Sequence, residues 1–150
     1  GEVEIGGAVP FTDNTPPPGQ IKALLQGQVP WVFEISGKMA HIQIADTKVT
    51  SLGSDVYRIE VWVENTGYFP YPTAMGKRNT RILPVIVTLE GQGLSIVEGK
   101  PRMTIQTIEG HKSGKVSWII RSGGAKSIKV KASTRIAWED TKTVTLGGSR

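Results

Sequence analysis

The stretch YRIEVWVENTGYFP, residues 57–70, decides how the chain is read. Tyr57, Ile59, Val61 and Val63 alternate with Arg58, Glu60, Trp62 and Glu64, a period of two that gives a β-strand one apolar face. Asn65-Thr66-Gly67 closes the strand. An asparagine side chain bonds its own backbone two residues on and a glycine takes positive φ, so the triplet predicts a strand end and a chain reversal. Residues 68–73, with three aromatics and two prolines, then read as a stiff loop leading to the basic pair Lys77-Arg78.

The same period recurs on both sides, with turn residues every 8 to 12 positions as in all-β sandwiches. Strands are predicted at Ile42 to Val49, ended by a turn at Ser51-Leu52-Gly53-Ser54, and at Arg81 to Leu89. The latter is apolar on both faces, which suits a central strand or one covered from outside, and Pro84 within it needs a bulge or an edge position. Further strands are expected at Leu94 to Val97, Met103 to Ile108, Val116 to Ile120, Ile128 to Ala132 and within Ile136 to Leu146. Short strands with one apolar face each are stable as two sheets packed face to face. The fold class is therefore mainly β, an immunoglobulin-like antiparallel sandwich of about 7–9 strands by its size and strand number.

Upstream, the Pro-rich run Thr15 to Gly19 reads as a semi-rigid spacer. Ile21, Leu24, Leu25, Val32, Ile35 and Met39 recur near the helical period, with Gly27 and Pro30 predicting a kink or a division into two short helices. The expected organisation is residues 1–19 as a tail and linker, 20–40 as a helical segment lying against a sheet, and 41–150 as the sandwich.

Composition narrows the function. The 150 residues contain no cysteine, so neither a disulfide framework nor a thiolate metal site can form. No apolar run approaches the roughly 20 residues that span a bilayer. The opening Gly1-Glu2-Val3-Glu4-Ile5 reads as a piece of something longer, with no signal peptide pattern. The net charge of +5 is uneven, with 4 Lys/Arg against 8 Asp/Glu in residues 1–70 and 14 against 5 in residues 71–150. No basic helix or nucleic-acid motif accompanies that charge, and no nucleic-acid partner is expected. Lys126, Lys129 and Lys131 fall on the polar positions of one strand, where lysine discourages edge pairing.

Catalytic and metal patterns are sparse. His41 and His111 stand far apart, without the His-x-x-Glu or His-x-x-x-His spacing of a hydrolytic zinc site. Ser113 beside His111 is the one local nucleophile and base pair, set in a glycine-flanked turn that is a poor platform for catalysis. Glu60 and Glu64 share a face with Arg58, as solvated faces do, and Trp138-Glu139-Asp140-Thr141 reads as a turn. Trp62 on that polar face has two readings: cover by the preceding helix or a neighbouring domain, or a platform for stacking sugars.

The opening GEVEIGG of residues 1–7, the Pro-rich spacer, the helix and the phrase from Tyr57 to Pro70 resemble the C-terminal region of bacterial zinc carboxypeptidases of the carboxypeptidase A type. The resemblance implies that residues 1–7 are the tail of a catalytic domain whose zinc ligands and catalytic glutamate lie upstream. The helix and sandwich would then be a non-catalytic accessory domain of a metallocarboxypeptidase, a proteolytic hydrolase, that stabilises or gates its catalytic partner. Zinc would belong to that parent domain and not to this chain, for which no catalytic or metal residue is expected. The resemblance also implies a secreted or periplasmic protein. The phrase Val61-x-Val63-Glu64-Asn65-Thr66-Gly67 is similar to adhesion-type sandwich modules as well.

A rival reading is thus an independent adhesion or carbohydrate-binding module contacting a peptide or glycan. Its contact residues would be Tyr68, Phe69 and Tyr71 with Lys77, Arg78 and Arg81, and Trp62 as a second platform. The aromatic loop then stands between two readings, a contact site and a rigid crossover.

Overall fold

A computed structural model describes residues 1–3, 6–7, 16–80, 83–135 and 138–147. The chain divides into two compact units, Gly1–Gly37 and Lys38–Arg150. The first holds one α-helix, α1 (Pro18–Gly37), which is continuous and not split at Pro30. Proline removes a single hydrogen bond from a long helix, and bending absorbs its steric demand. Pro18 takes the first helical position, where its missing N–H is not needed, so the helix starts two residues before the expected boundary.

The second unit is the sandwich. Its elements are β1 (Ile42–Gly53), β2 (Val56–Asn65), a short helix α2 (Ala74–Arg78), β3 (Val85–Glu90), β4 (Ser95–Glu98), β5 (Arg102–Ile105), β6 (Lys112–Arg121), β7 (Ser127–Ser133) and β8 (Glu139–Thr145). Two four-stranded antiparallel sheets run in the orders β1-β2-β6-β4 and β5-β3-β7-β8. Equating β1, β2, β3, β4, β6, β7 and β8 with strands A to G gives A-B-E-D facing C-F-G, the constant-type immunoglobulin arrangement, with β5 added beside C. The fold is an immunoglobulin-like sandwich.

Its core comes from the alternation read in the sequence. Ile59, Val61 and Val63 of β2 and Val116, Trp118 and Ile120 of β6 face Val85 and Val87 of β3 and Ile128, Val130 and Ala132 of β7, all buried. β3 is an interior strand, as its two apolar faces suggested. Pro84 lies before the strand and so removes no ladder hydrogen bond.

Several expectations are corrected. The β1–β2 turn is not at Ser51 to Ser54: β1 runs on to Gly53, and Ser54 and Asp55, both with positive φ, form a two-residue hairpin turn. Asp55 bonds Ser122 and accepts from the Gly123 amide at 2.8 Å, so its side chain ties the hairpin turn to the residues just past β6. The predicted strand to Ile108 stops at Ile105. Ile108 instead makes an isolated bridge with Tyr71.

The lysines of β7 do not guard an edge, because β7 lies between β3 and β8. Lys126 precedes the strand, and Lys131 pairs with Glu139 at 2.8 Å. Glu139 and Asp140 are not in a turn; they begin β8, which is the edge. Asp140 shares the inward register of Ala132 and accepts a hydrogen bond of 2.8 Å from the Ile44 amide, beside the β1 irregularity at Ala45. An inward carboxylate and a bulge are two ways of discouraging further strand pairing.

Candidate contact surface at one end of the sandwich

β2 ends where β1 and β6 begin, with Asn65 opposite Ile42 and Lys112. At this end the chain crosses from one sheet to the other through residues 66–84. Asn65, 1 % exposed, organises the crossing with all four of its side-chain bonds. Its Oδ1 accepts from the His41 and Gly67 amides, each at 3.0 Å, and its Nδ2 donates to the Phe69 carbonyl at 2.8 Å and the Ile108 carbonyl at 3.3 Å. The bond to Gly67 is the one expected from the sequence. A buried amide with every donor and acceptor matched gives a single conformation, since any departure leaves a desolvated polar group.

Gly67 serves differently from the expectation. Its φ is not in the left-handed region. It is glycine for space, because a Cβ would run into the Met39 carbonyl. Gly110 is equally confined, where a Cβ would meet the Tyr68 carbonyl. The amides of Tyr68 and Phe69 both donate to the Lys38 carbonyl, at 3.0 and 3.1 Å, and the His111 amide donates to Gly67 at 3.2 Å. Three segments, 38–41, 66–70 and 109–112, are therefore tied together by backbone.

What this frame presents is apolar. Tyr68 is 69 % and Phe69 39 % exposed, their rings edge to face at 6.3 Å, and the His111 ring meets Tyr68 at 6.0 Å. The exposed large apolar side chains among the described residues of the sandwich unit are Met39, Leu52, Tyr68, Phe69, Met75 and Val97. Four of these six, Met39, Tyr68, Phe69 and Met75, belong to the loops and short helix of this end, which makes it the apolar pole of the domain.

The other proposed contact residues divide. Tyr71 is buried and is withdrawn from any contact surface: its amide and carbonyl pair with Ile108, and burial pushes its phenol above the usual tyrosine range. Lys77 pairs with Glu109 at 2.9 Å, and Arg78 is exposed at the end of α2. That helix, to which the sequence reading gave no element, is capped by the Thr73 hydroxyl accepting from the Gly76 amide at 3.2 Å. Arg81 lies outside the described residues.

Trp62 is half-buried and stands opposite Lys115 in the ladder. The Lys115 ammonium lies 5.0 Å from the indole centroid and pairs with Glu60, so the ring is covered from its own sheet. The hydrogen bond from Lys115 is the main cause holding the Glu60 carboxyl below its ordinary range, with burial opposing. A lowered folded pKa means that the pair's contribution is present above the ordinary glutamate range and fades as pH falls through the folded value. Lys115→Ala is expected to move the Glu60 carboxyl titration, followed by NMR, upward.

His41 and His111 remain separate. His41 packs on Trp138 with centroids 4.2 Å apart, while His111, at φ +53°, adjoins Tyr68. Among the described residues no three His, Asp or Glu side chains come together as a metal group. No described helix is long and apolar enough to cross a membrane.

Fold and surface thus define an immunoglobulin-like sandwich with a rigid, apolar loop end. Residues 41–145 match the family described as "Domain of unknown function (DUF8731)", and the chain belongs to that family. No curated protein matches the chain. Among solved structures it is similar to the GAE domain of GGA2p from Saccharomyces cerevisiae, at 16 % identity over 73 % of this chain and 99 % of that one, TM-score 0.41. It is also similar to beta-glucosidase 3B from Thermotoga neapolitana, at 12 % identity over 71 % of this chain and 16 % of that one, TM-score 0.33.

Proposed function

We propose that this chain is a non-catalytic accessory domain that works by contact, appended to a zinc metallocarboxypeptidase-type catalytic domain in an exported protein. The observation that carries the contact reading is the exposed Tyr68-Phe69 pair on a loop frame fixed by Asn65, Gly67 and Gly110. Ordering that loop costs nothing at the moment of binding, because the folded domain has already immobilised it. The parentage rests on the resemblance of residues 1–7 and 57–70 to that group. Stabilisation or gating of the catalytic domain is the role such a fixed surface suits.

The second reading, an adhesion or carbohydrate-binding module, draws on the same pair, since exposed aromatic faces stack on sugars. Capture of the separately expressed parental catalytic domain by the immobilised chain, compared with a glycan array, separates the two. The accessory reading expects capture, lost with Tyr68→Ala/Phe69→Ala, together with an isolated chain that carries no stoichiometric zinc. Glycan binding without capture would replace it by the second reading.

A further inference from the structure

The apolar end is ringed by positive charge. Lys38, whose carbonyl holds the Tyr68 and Phe69 amides, Arg78 at the end of α2, and Lys112, which follows His111, are all exposed. Lys77 belongs to the same end but is engaged by Glu109, the one carboxylate among these segments. Among the described residues these three cations have no ion pair, and they belong to the segments and short helix that carry or adjoin the apolar side chains Met39, Tyr68 and Phe69. The arrangement follows the anatomy of protein interfaces, in which aromatic and methionine side chains form the centre and charges the rim.

Resting on the contact reading above, we propose that the partner surface at this end is an acidic polypeptide segment carrying apolar side chains. Its carboxylates would meet Lys38, Arg78 and Lys112, and its apolar side chains would pack on Tyr68 and Phe69. Charge complementarity sets the sign: a basic rim attracts and orients an acidic partner. A protein fits better than an anionic bilayer because its carboxylates can be placed to meet the cations and avoid Glu109, more than half exposed beside the Tyr68 loop, whereas headgroups present negative charge across the whole surface. The hydrogen-bonded frame also supplies a surface of fixed shape, which a polypeptide can match and a fluid headgroup layer does not need.

The test uses the chain with an acidic copolymer of glutamate and tyrosine, with polyglutamate, a lysine-tyrosine copolymer and phosphatidylserine vesicles as comparisons. Binding to the glutamate-tyrosine copolymer should exceed that to each comparison and weaken with salt. It should fall roughly tenfold or more with Tyr68→Ala/Phe69→Ala and with Arg78→Glu/Lys112→Glu. Each altered side chain is exposed, and unchanged thermal melts would show that the variants are folded. Tyr68→Phe should retain most of the affinity. Equal binding to polyglutamate, binding indifferent to the aromatic variant, or preference for vesicles would overturn the proposal. A chain that captures the parental catalytic domain yet ignores the copolymer would refute the acidic partner alone, whereas copolymer binding without that capture would refute the parentage alone.

Discussion

Asn65→Ala is expected to cost about 3 kcal/mol of folding stability, read from urea unfolding, on the basis of roughly 1 kcal/mol per lost bond with a further cost for buried donors left bare. The amides of His41 and Gly67 lose their acceptor and the carbonyls of Phe69 and Ile108 lose a donor. Their exchange with solvent should rise together, and the Tyr68-Phe69 surface should lose its fixed shape with them. Asn65→Asp is not expected to rescue. Its carboxylate can still accept from the two amides but points an oxygen, in place of an N–H, at two carbonyls. A loss under about 1 kcal/mol for Asn65→Ala would show that the crossing is held by something else.

Trp118→Ala is expected to have the largest effect, about 3–5 kcal/mol, as for other buried aromatics cut to alanine. The indole is 1 % exposed, and its Nε1 donates to the Lys100 carbonyl at 2.8 Å, tying the β4–β5 crossing to β6. Gly99, at φ +104°, lies against the ring, where a Cβ would come within 2.8 Å of Cδ1. Alanine therefore opens a cavity and releases the crossing. A domain of this kind is stable by about 5–15 kcal/mol in total, so the variant should be largely unfolded a few degrees above physiological temperature. Trp118→Phe keeps most of the volume and should lose mainly the hydrogen bond, about 1 kcal/mol. Circular dichroism melts of the two variants check the ordering.

The sandwich was legible because burial writes itself as alternation: Ile59, Val61 and Val63 face the core and Arg58, Glu60, Trp62 and Glu64 do not. Asn65 was legible as a strand end, since its bond to Gly67 is local. Its bonds to His41 and Ile108 were not, because residues 24 and 43 positions away are brought to it only by the paired sheets. Gly67 was read for its φ and is needed for its small volume, a demand set by Met39 from another segment. Tyr71 and Phe69 look alike in sequence, yet the bridge to Ile108 turns one inward and leaves the other exposed. Trp62 carried two readings, cover by the helix or a neighbouring domain and a sugar platform, and neither foresaw Lys115 over the ring from the adjacent strand, a pairing fixed by register. The β7 strand was read as an edge and is interior, because strand order is set by crossovers, which leave no periodic signal.

The central claim, contact through the Tyr68-Phe69 end, is tested most directly by amide mapping of the labelled chain while the parental catalytic domain is titrated in. The account predicts shifts concentrated at residues 38–39, 66–70 and 109–112, all absent in Tyr68→Ala/Phe69→Ala. Shifts centred instead on Trp62 and the outer face of β1, β2 and β6, with the loop end silent, would contradict it.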